Sequence, residues 1–372
     1  MTQNEENPQI MLALDAGGEG TKFIYANASN QVESAASCYM EPQIVKLPHS
    51  AIAQLQGNKI SVALPENMCW IGVEQEFYAV GYLACSRFQG SKCLSTSKVE
   101  TAIYKALAAI WVIKRKLELG AKFTLDVAVV LPPCELSDKA YFEEQLRQQA
   151  RRFTTPDGEM SVDINKFLCF PEGAGTFLLY KGQSSAAQIH QEDIALVMLG
   201  YRNASVLVSR RGLLDIVASS ELGMYRAINQ IVKRSSNQSE NRLVSAVAKA
   251  GWDVKREFLS NLVNTTNPKR KSYELDLLTT AITESRLEYF FQLKTWLDEM
   301  IPREANLIIF CGGTAEYLRQ PLKKAFPERC LFHGGVKIPS QLDTGGLGCR
   351  LLDIYGVYTF LMQYSLQQKI GR

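Results

Sequence analysis

The stretch at residues 12–25, LALDAGGEGTKFIY, is the part of the sequence around which the rest of the chain can be interpreted. Two apolar segments flank a glycine-rich turn at residues 17–20, which is the pattern of a tight β-hairpin. The amides of such a turn can bind phosphate oxygens. Asp15 ends the first strand as a carboxylate suited to Mg²⁺ and its waters, and Lys22 can bring a point charge to a phosphate. The pattern is not a P-loop, because no Gly-Lys-Ser/Thr follows. Short motifs often match by chance, so the stretch alone is equally consistent with an ordinary glycine hairpin.

The composition is that of a globular protein with room for two or more domains. Of 372 residues, 46% are hydrophobic and 21% are charged, and the net charge of +3 is too small to indicate nucleic acid or membrane binding. No apolar run is long enough to cross a bilayer, and the polar first eight residues do not form a signal peptide. Nine scattered cysteines without a Cys-x-x-Cys pair fit neither a zinc site nor a disulfide framework. We therefore expect a cytoplasmic protein with no direct membrane contact.

One order of elements occurs twice along the chain. The first half is predicted to contain a hairpin at 12–25, a third strand at 31–36, a helix at 99–119 and strands at 123–131 and 165–170. The second half is predicted to contain a hairpin at 194–208, a third strand at 213–218, a helix at 273–300 and a strand at 307–311, followed by a short extended piece at 336–337. Chance seldom reproduces element order and a glycine turn together, so the repetition indicates two similar α/β domains.

The repeat sets the predicted domain boundaries. A mobile N-terminal tail is predicted at residues 1–9. The first domain takes residues 10–185 and 346–372, with a small insertion at about 40–70 that includes an irregular stretch at 41–64. The second takes residues 186–345, with an insertion at about 233–272. Two such domains side by side are expected to hold one ligand in the cleft between them.

Residues 307–318, LIIFCGGTAEYL, form the most specific motif, in which the glycines let the backbone approach a nucleotide. Together with YAVG at 78–81 and VVLP at 129–132, it makes the sequence resemble the actin superfamily, and within it the plasmid-segregation actins of the ParM/StbA type. The resemblance runs from about residue 11 to 364. It implies an actin-like, ribonuclease H-like duplicated two-domain α/β fold with a nucleotide in a central cleft. It also implies ATP or GTP with Mg²⁺, self-assembly into a homopolymer filament, and a DNA-binding adaptor protein as partner.

The resemblance also implies roles for individual residues. The first phosphate loop comprises Asp15, Gly17, Gly18, Glu19, Gly20, Thr21 and Lys22, and the second comprises Gly200, Tyr201, Arg202 and Asn203. The nucleoside contacts are Gly312, Gly313, Thr314, Glu316 and Tyr317. Asp15 is the implied Mg²⁺ ligand, and Glu172 is the implied residue facing the attacking water, so these two are the candidate catalytic residues.

The second phosphate loop departs from the family pattern, which has an aspartate where this chain has Met198. A thioether is a poor ligand for Mg²⁺, which prefers oxygen. Phosphoryl transfer depends on positioning and charge neutralisation, so we expect the change to slow hydrolysis more than it weakens binding. We hypothesise that Glu19 replaces the lost carboxylate by reaching the Mg²⁺ shell.

Several residues have a second interpretation. Glu172 either orients or deprotonates a water, or complements the dipole of the helix that follows it. Arg202 either contacts a phosphate or lies in a solvated turn. The short basic clusters at 210–211 and 269–271 are either solvated surface or an adaptor contact, and direct binding of nucleic acid is not expected.

The sequence therefore predicts a nucleotide-dependent, filament-forming actin-like protein in plasmid or DNA segregation, with ATPase activity that is low because the second loop is degenerate. One alternative is a cytoskeletal scaffold that binds nucleotide with little or no hydrolysis. An alternative of another class is a sugar or metabolite kinase of the same fold superfamily. A kinase needs an acid that takes a proton from the substrate hydroxyl, and no residue of the sequence can be assigned to that role.

Overall fold

The computed structural model describes residues 8–28, 35–57, 63–235 and 238–370. Its strands are β1 (Gln9–Gly17), β2 (Gly20–Asn27), β3 (Ala36–Met40), β4 (Ile44–Leu47), β5 (Trp70–Val73), β6 (Glu76–Val80), β7 (Lys122–Leu131), β8 (Phe153–Thr155), β9 (Gly158–Pro171), β10 (Asp193–Leu199), β11 (Ala204–Arg210), β12 (Leu213–Ser220), β13 (Leu307–Cys311) and β14 (Cys330–Phe332). Its α-helices are α1 (His49–Gly57), α2 (Tyr82–Phe88), α3 (Lys98–Lys116), α4 (Lys139–Ala150), α5 (Ala174–Gln183), α6 (Ala186–Gln191), α7 (Tyr225–Arg234), α8 (Glu240–Ala250), α9 (Pro268–Met300), α10 (Gly313–Tyr317), α11 (Arg319–Ala325) and α12 (Leu352–Ile370).

The chain divides into two compact units. Unit 1 consists of Met1–Gln183 together with Val336–Arg372, and unit 2 consists of Ser184–Gly335. Each unit has its own mixed β-sheet with helices packed against it.

Unit 1 is organised around β1, which is buried on both faces of a nine-stranded sheet. The strand order is β3-β2-β1-β7-β9-β8-β5-β6-β4, and β1 pairs antiparallel with β2 and parallel with β7. Because side chains alternate along a strand, Leu12 and Leu14 belong to the core that contains α3, whereas Met11 and Ala13 belong to the core that contains α12. Burial on both faces explains the continuous apolar run in the sequence before Asp15.

Unit 2 repeats the arrangement on a smaller scale. Its five strands are ordered β12-β11-β10-β13-β14, with antiparallel pairs on the hairpin side and parallel pairs from β10 to β14. The first five strands of the unit 1 sheet, β3-β2-β1-β7-β9, have the same order and the same sequence of parallel and antiparallel pairs. The predicted duplicated α/β fold is thereby confirmed.

Three predicted elements differ from the structure. The stretch at 41–64 is not irregular throughout, because β4 and α1 form within it and Leu47 and Ile52 pack against Trp70. With four residues in β4 and nine in α1, both elements are too short to give a clear periodic signal in the sequence, so only their packing in the structure identifies them. Residues 336–337 are not a strand, since the parallel neighbour of β13 is β14. For the third strand predicted at 31–36, residues 31–34 lie outside the described residues, and β3 begins at Ala36.

The boundaries of α9 also differ from the prediction of 273–300. The helix begins at Pro268, because the side-chain oxygen of Asn267 accepts the backbone N–H groups of Lys269 and Arg270 at 3.1 and 3.2 Å. An Asn cap followed by Pro is a favourable helix start. The basic cluster at 269–271 therefore lies in the first turn of a long helix.

The remaining observations concern the chain ends, membrane helices and cysteines. Most of the predicted tail, residues 1–7, lies outside the described residues, whereas Gln9 already belongs to β1. Within the described part of the chain, none of the helices has the length and apolar character needed to cross a bilayer. All nine cysteines are thiols and not disulfides.

Candidate functional site

The first hairpin forms the centre of the candidate site in unit 1. Gly17 pairs with Gly20 across the hairpin, so the turn itself is the two-residue segment Gly18–Glu19. In the same register Asp15 on β1 lies directly opposite Lys22 on β2, next to the buried Thr21. The seven residues of the predicted first phosphate loop are therefore brought together by one short turn.

Four charged side chains meet beside this turn, and we call Asp15, Lys22, Lys98 and Glu172 the charge cluster. The Lys22 Nζ lies 2.7 Å from Asp15 Oδ2. The Lys98 Nζ lies 2.8 Å from Asp15 Oδ1 and 2.8 Å from Glu172 Oε1, so one ammonium group bridges both acids. Lys98 and Asp15 are buried and Glu172 is partly buried.

The sheet topology explains why these residues meet. The strands β1, β7 and β9 are parallel, so their carboxyl ends lie at one edge of the sheet, where Asp15 ends β1 and Glu172 follows β9. Lys98 reaches the same edge from the first turn of α3. Glu135 fixes that turn by accepting the Lys98 backbone N–H at 2.6 Å and the Ser97 hydroxyl at 3.0 Å.

Asp15 and Lys98 of the cluster are held in their ionised forms. Burial acts to raise the pKa of Asp15, but Lys22 and Lys98 outweigh it and hold this pKa well below its usual range. Burial likewise acts to lower the pKa of Lys98, whereas Asp15 and Glu172 outweigh it and hold that pKa above its usual value. A buried carboxylate and a buried ammonium group therefore stay ionised beside each other.

A third carboxylate, Asp353 of α12, lies beside the cluster without joining it. It accepts the backbone N–H groups of Gly173 and Thr176 at 2.9 and 3.1 Å, which caps the start of α5 directly after Glu172. Gly173 has a φ of +98°, a conformation that favours glycine. The pKa of Asp353 is raised to about 6, mainly by burial. The two backbone N–H groups act to lower this pKa, whereas the charges of Asp15 and Glu172 raise it further.

Glu19, at the tip of the turn, forms an ion pair with Arg350, which comes from the segment before α12. The guanidinium of Arg350 also lies 5.6 Å from the centre of the Tyr39 ring, and the Tyr39 hydroxyl donates to the Glu19 carbonyl at 2.9 Å. The negative charge that the sequence places inside a phosphate loop is therefore neutralised within unit 1. The structure gives Glu19 a cationic partner of its own, which the hypothesis of Glu19 as a replacement Mg²⁺ ligand did not foresee.

The second hairpin, in unit 2, has a different construction. Its turn has four residues, Gly200–Asn203, because Leu199 pairs with Ala204. The Tyr201 ring is buried, and its hydroxyl donates to Glu240 at 2.6 Å. The carbonyl oxygens of Gly200, Tyr201 and Arg202 accept N–H groups of residues 223–225, before and at the start of α7. Three carbonyls of this turn are thus used to hold a helix.

Met198 occupies the position in unit 2 that Asp15 occupies in unit 1, two residues before the first glycine. Its sulfur lies 3.5 Å from the Cys311 sulfur. Residues 194–214 contain neither Asp nor Glu. The second hairpin therefore brings no carboxylate of its own to a metal ion.

The predicted nucleoside motif forms the turn between β13 and α10. Gly312 has a φ of +93°, and a Cβ at this position would lie 2.4 Å from the Leu199 carbonyl oxygen, so no other residue fits without a shift. The Thr314 hydroxyl donates to the Gly200 carbonyl at 2.9 Å, which ties this turn, including Gly313, to the second hairpin. Gly200, Gly312 and Thr314 are thereby brought together.

The two other predicted nucleoside residues, on α10, are engaged within unit 2. Glu316 pairs with Arg319, and the ring nitrogen Nε2 of His333 lies 2.8 Å from its carboxylate. The Tyr317 ring lies 6.2 Å from the Trp252 ring, and burial raises the pKa of its hydroxyl.

Sequence reasoning missed Lys98, Asp353 and Arg350. A lysine in the first turn of a helix opposes the helix dipole, and this was the one available signal for Lys98. Asp353 and Arg350 lie more than 300 residues from the first hairpin, and only the packing of α12 brings them to it. No local pattern marks either residue.

The donor set of unit 1 fits a Mg²⁺ ion that accompanies phosphate. Asp15 supplies a hard carboxylate, and Lys22 and Lys98, which already hold it, supply the cations that phosphate oxygens need. The Thr21 hydroxyl beside them is buried and has no hydrogen-bond partner among the residues that the structure describes. The second hairpin does not fit such an ion, because a thioether stands at the equivalent position.

Comparisons with known proteins identify the class of fold. No family model and no curated protein matches the sequence. Among solved structures, a ParM filament from Clostridium botulinum matches with a TM-score of 0.61 and 15% identity, over 95% of this chain and 99% of that one. A ParM from Bacillus thuringiensis solved with ATP matches with a TM-score of 0.62 and 13% identity, over 96% and 99%. The archaeal actin homologue Ta0583 matches with a TM-score of 0.54 and 14% identity, over 95% and 99%.

These likenesses define an α/β protein with the actin-like fold, which confirms the fold predicted from the sequence. Within that fold, ParM structures are among those to which the chain is similar over nearly its full length. At identities of 13–15% the likeness concerns the fold.

Proposed function

We propose that the protein is a nucleotide-dependent, filament-forming actin-like protein of plasmid or DNA segregation that binds ATP or GTP with Mg²⁺. The observation that carries the proposal is the buried charge cluster at the carboxyl edge of the unit 1 sheet, beside a glycine turn. The ParM of Clostridium botulinum in filament form and the ParM of Bacillus thuringiensis with ATP support it by fold.

The first hairpin is proposed to bind the phosphates. Lys22 and Lys98 offer ammonium groups, and the amides of the Gly18–Glu19 turn offer neutral donors. Asp15 would hold the Mg²⁺ ion, which in this setting neutralises charge on the phosphate oxygens. The glycines of the turn between β13 and α10 are proposed to lie against the nucleoside, since a side chain at Gly312 would clash with backbone.

Glu172 is proposed to orient the attacking water. In the structure its carboxylate is bound by Lys98, which neutralises the acid. A phosphate oxygen competes for the same ammonium group, and transfer of Lys98 to the phosphate leaves the Glu172 carboxylate able to accept a proton from water. Lys98 would in this way link phosphate binding to the readiness of Glu172.

A second candidate function is a scaffold that assembles with nucleotide but hardly hydrolyses it. The contact between Met198 and Cys311 favours it, because an apolar sulfur pair occupies the place of a metal-binding carboxylate. Loss of one carboxylate removes charge stabilisation from the transition state more than from the bound ground state. The two candidates differ in hydrolysis rate and agree on nucleotide binding and assembly.

The deciding experiment follows light scattering and phosphate release together, with ATP, GTP or no nucleotide, and with Mg²⁺ or a chelator. Assembly with slow phosphate release supports the main proposal, whereas assembly without release supports the scaffold. A phosphorylated small molecule without assembly would indicate a kinase. Absence of affinity for both nucleotides contradicts all three functions.

Partners can be tested with the same filaments. A DNA-binding adaptor protein is proposed as the link between filament and plasmid. Co-sedimentation of filaments with bare DNA serves as the control, since direct DNA binding is not expected from a net charge of +3. Retention of DNA only when an adaptor is added supports the proposal.

A further inference from the structure

The long helix α9 of unit 2 carries an apolar face that the fold leaves exposed. Tyr273, Leu277, Leu287 and Phe291 are 63%, 52%, 50% and 74% exposed, and we call these four residues the α9 stripe. At 100° per residue they fall within about 40° of one direction and extend over about 27 Å. The opposite side of α9, which includes Leu278, Ile282 and Leu293, is buried. A helix that is apolar on two opposite sides needs a second covering surface.

The spacing of the stripe is symmetric about residue 282. An aromatic residue stands at each end, and a leucine stands four positions inward from it, at 277 and 287. When two copies of α9 are laid antiparallel, Tyr273 of one copy meets Phe291 of the other, and Leu277 meets Leu287. A two-fold interface requires this self-complementarity, in which residue i contacts residue j and j contacts i.

The centre of the stripe is complementary in the same register. Thr280 and Glu284 are both exposed and lie on the stripe between the two leucines. In the antiparallel arrangement Thr280 of one copy faces Glu284 of the other, twice, so a hydroxyl donor meets a carboxylate acceptor. A parallel arrangement instead places Thr280 against Thr280 and Glu284, which lies 4.0 Å from Arg234 within the chain, against Glu284, so it forms neither hydroxyl–carboxylate pair.

The charges beside the stripe do not oppose this pairing, because unit 2 already neutralises them. Asp276 and Glu288 lie about 60° to either side of the stripe, and they are paired with Arg256 and Arg234 within the chain. Arg270 and Lys294, also about 60° to either side of the stripe, are paired with Glu274 and Asp298.

We propose that the α9 stripe is a two-fold contact between two copies of this chain, with the helices antiparallel. The four side chains expose roughly 400 Å² of apolar surface per copy, similar to the largest patch of a typical monomer. Two copies that bury these side chains remove roughly 800 Å² from solvent, which is the size of a weak, transient interface. A cavity of about 430 Å³ lined by Leu277, Arg270 and Glu274 borders the stripe.

A two-fold contact closes after two copies, so it is separate from the head-to-tail surfaces that propagate a filament. The dimer is therefore measured without nucleotide, by sedimentation velocity from about 1 to 200 µM, a range that covers the micromolar dissociation constants of weak complexes. Failure of nucleotide binding leaves this measurement unaffected, and a monomeric result leaves the proposed nucleotide function untouched.

The variants Tyr273→Glu and Phe291→Lys test the register. Each alone is expected to raise the dissociation constant at least about tenfold, because a charge is placed against an aromatic ring. A mixture of the two variants is expected to dimerise again. At one end of the mixed antiparallel dimer the carboxylate of the first variant meets the ammonium group of the second. At the other end the native aromatic pair is kept. Tyr141→Asp, an exposed aromatic on α4 outside the stripe, is the matched control and keeps the wild-type constant. Circular dichroism confirms that the variants are folded.

Each outcome decides the proposal. A concentration-dependent dimer that both variants disrupt and their mixture restores supports it. A wild-type protein that stays monomeric at the highest concentration overturns it, and so does a dimer that both single variants leave intact. Variants that are monomeric alone and also in the mixture overturn the antiparallel register.

Discussion

The two hairpins of this protein have the same strand topology and opposite chemistry. In unit 1 a two-residue turn lies beside Asp15, whose oxygens are held by Lys22 and Lys98 at 2.7 and 2.8 Å. In unit 2 a four-residue turn follows Met198, whose sulfur contacts Cys311. The first hairpin concentrates charge in a buried place, and the second uses its carbonyls to hold α7. Duplicated elements can therefore keep their fold while only one copy retains the groups that suit a metal ion and phosphate.

The contrast also shows which kind of interaction stabilises each hairpin. Buried ions are costly unless they are paired, so the first hairpin depends on all members of the charge cluster. The second hairpin depends on packing, which tolerates substitutions of similar volume. Substitutions at equivalent positions should therefore have very different effects.

Asp15→Asn is expected to have the largest effect. The amide cannot neutralise two ammonium groups, so the variant should lose about 3 kcal/mol of unfolding free energy at pH 7. Because the native pKa of Asp15 is held below its usual 3.8, this contribution is present above about pH 4 and is lost as the pH falls further. Urea denaturation at pH 7 and at pH 2 measures both quantities.

The matched control for Asp15→Asn is Met198→Leu at the equivalent position of unit 2. A volume-conserving apolar change should cost less than about 1.5 kcal/mol and show no pH dependence of its own. Nucleotide affinity should fall for Asp15→Asn and stay near wild type for Met198→Leu. Equal losses in the two variants would contradict the division between a charged and a packed hairpin.

Asp353, next to the first hairpin, is predicted to have a pH dependence opposite to that of Asp15, because its contribution to stability improves as the pH falls. The pKa of Asp353 is raised to about 6, so the folded state binds this proton more tightly than the unfolded state. The contribution of Asp353 to stability should therefore improve as the pH falls from 7 to 4.5, on the order of 2 kcal/mol. The measurement is the difference in unfolding free energy between wild type and Asp353→Ala at the two pH values. A difference that shrinks at low pH would show that the carboxylate is ionised throughout.

The sequence was sufficient for the fold because its strongest signals are local. The buried run of β1 and the glycine turn at 17–20 specify a hairpin, and their repetition at 194–208 specifies a duplicated fold. The short elements β4 and α1 could not be predicted, because their few apolar residues form no periodic pattern and are buried only by packing against Trp70. The start of α9 was available in principle from Asn267 followed by Pro268.

Only part of the candidate site could be predicted from the sequence. Asp15 and Lys22 are seven residues apart on one hairpin, so a local motif contains both. Lys98 forms ion pairs with both Asp15 and Glu172, but it lies on α3, 83 residues after Asp15 in the sequence. Its position depends on how α3 packs on the sheet and on Glu135, and no spacing rule predicts such a meeting.

Met198→Asp reverses the difference between the hairpins. The new carboxylate replaces a half-buried sulfur beside Cys311, so it should cost about 1–2 kcal/mol of unfolding free energy without nucleotide. Mg²⁺ with nucleotide should return part of that loss, because the ion binds the native form and not the unfolded chain. Phosphate release should rise roughly tenfold, which corresponds to about 1.4 kcal/mol of barrier. Met198→Asn, which adds polarity without charge, should share the destabilisation and not the gain in rate.

Glu19→Gln should have the smallest effect on stability, and it tests what the turn of the first hairpin contributes. The pair between Glu19 and Arg350 is about 30% exposed on both sides, so its loss should cost less than about 1 kcal/mol. If Glu19 serves mainly to hold Arg350, the variant leaves that guanidinium able to meet a phosphate, and nucleotide affinity should rise a few-fold while phosphate release is kept. If Glu19 instead enters the Mg²⁺ shell, phosphate release should fall and Mg²⁺ dependence should weaken. Arg350→Gln separates the two cases, because it should lower affinity only when the guanidinium reaches the phosphate. Nucleotide titrations of the two variants at low and high salt distinguish this charge effect from a change of fold.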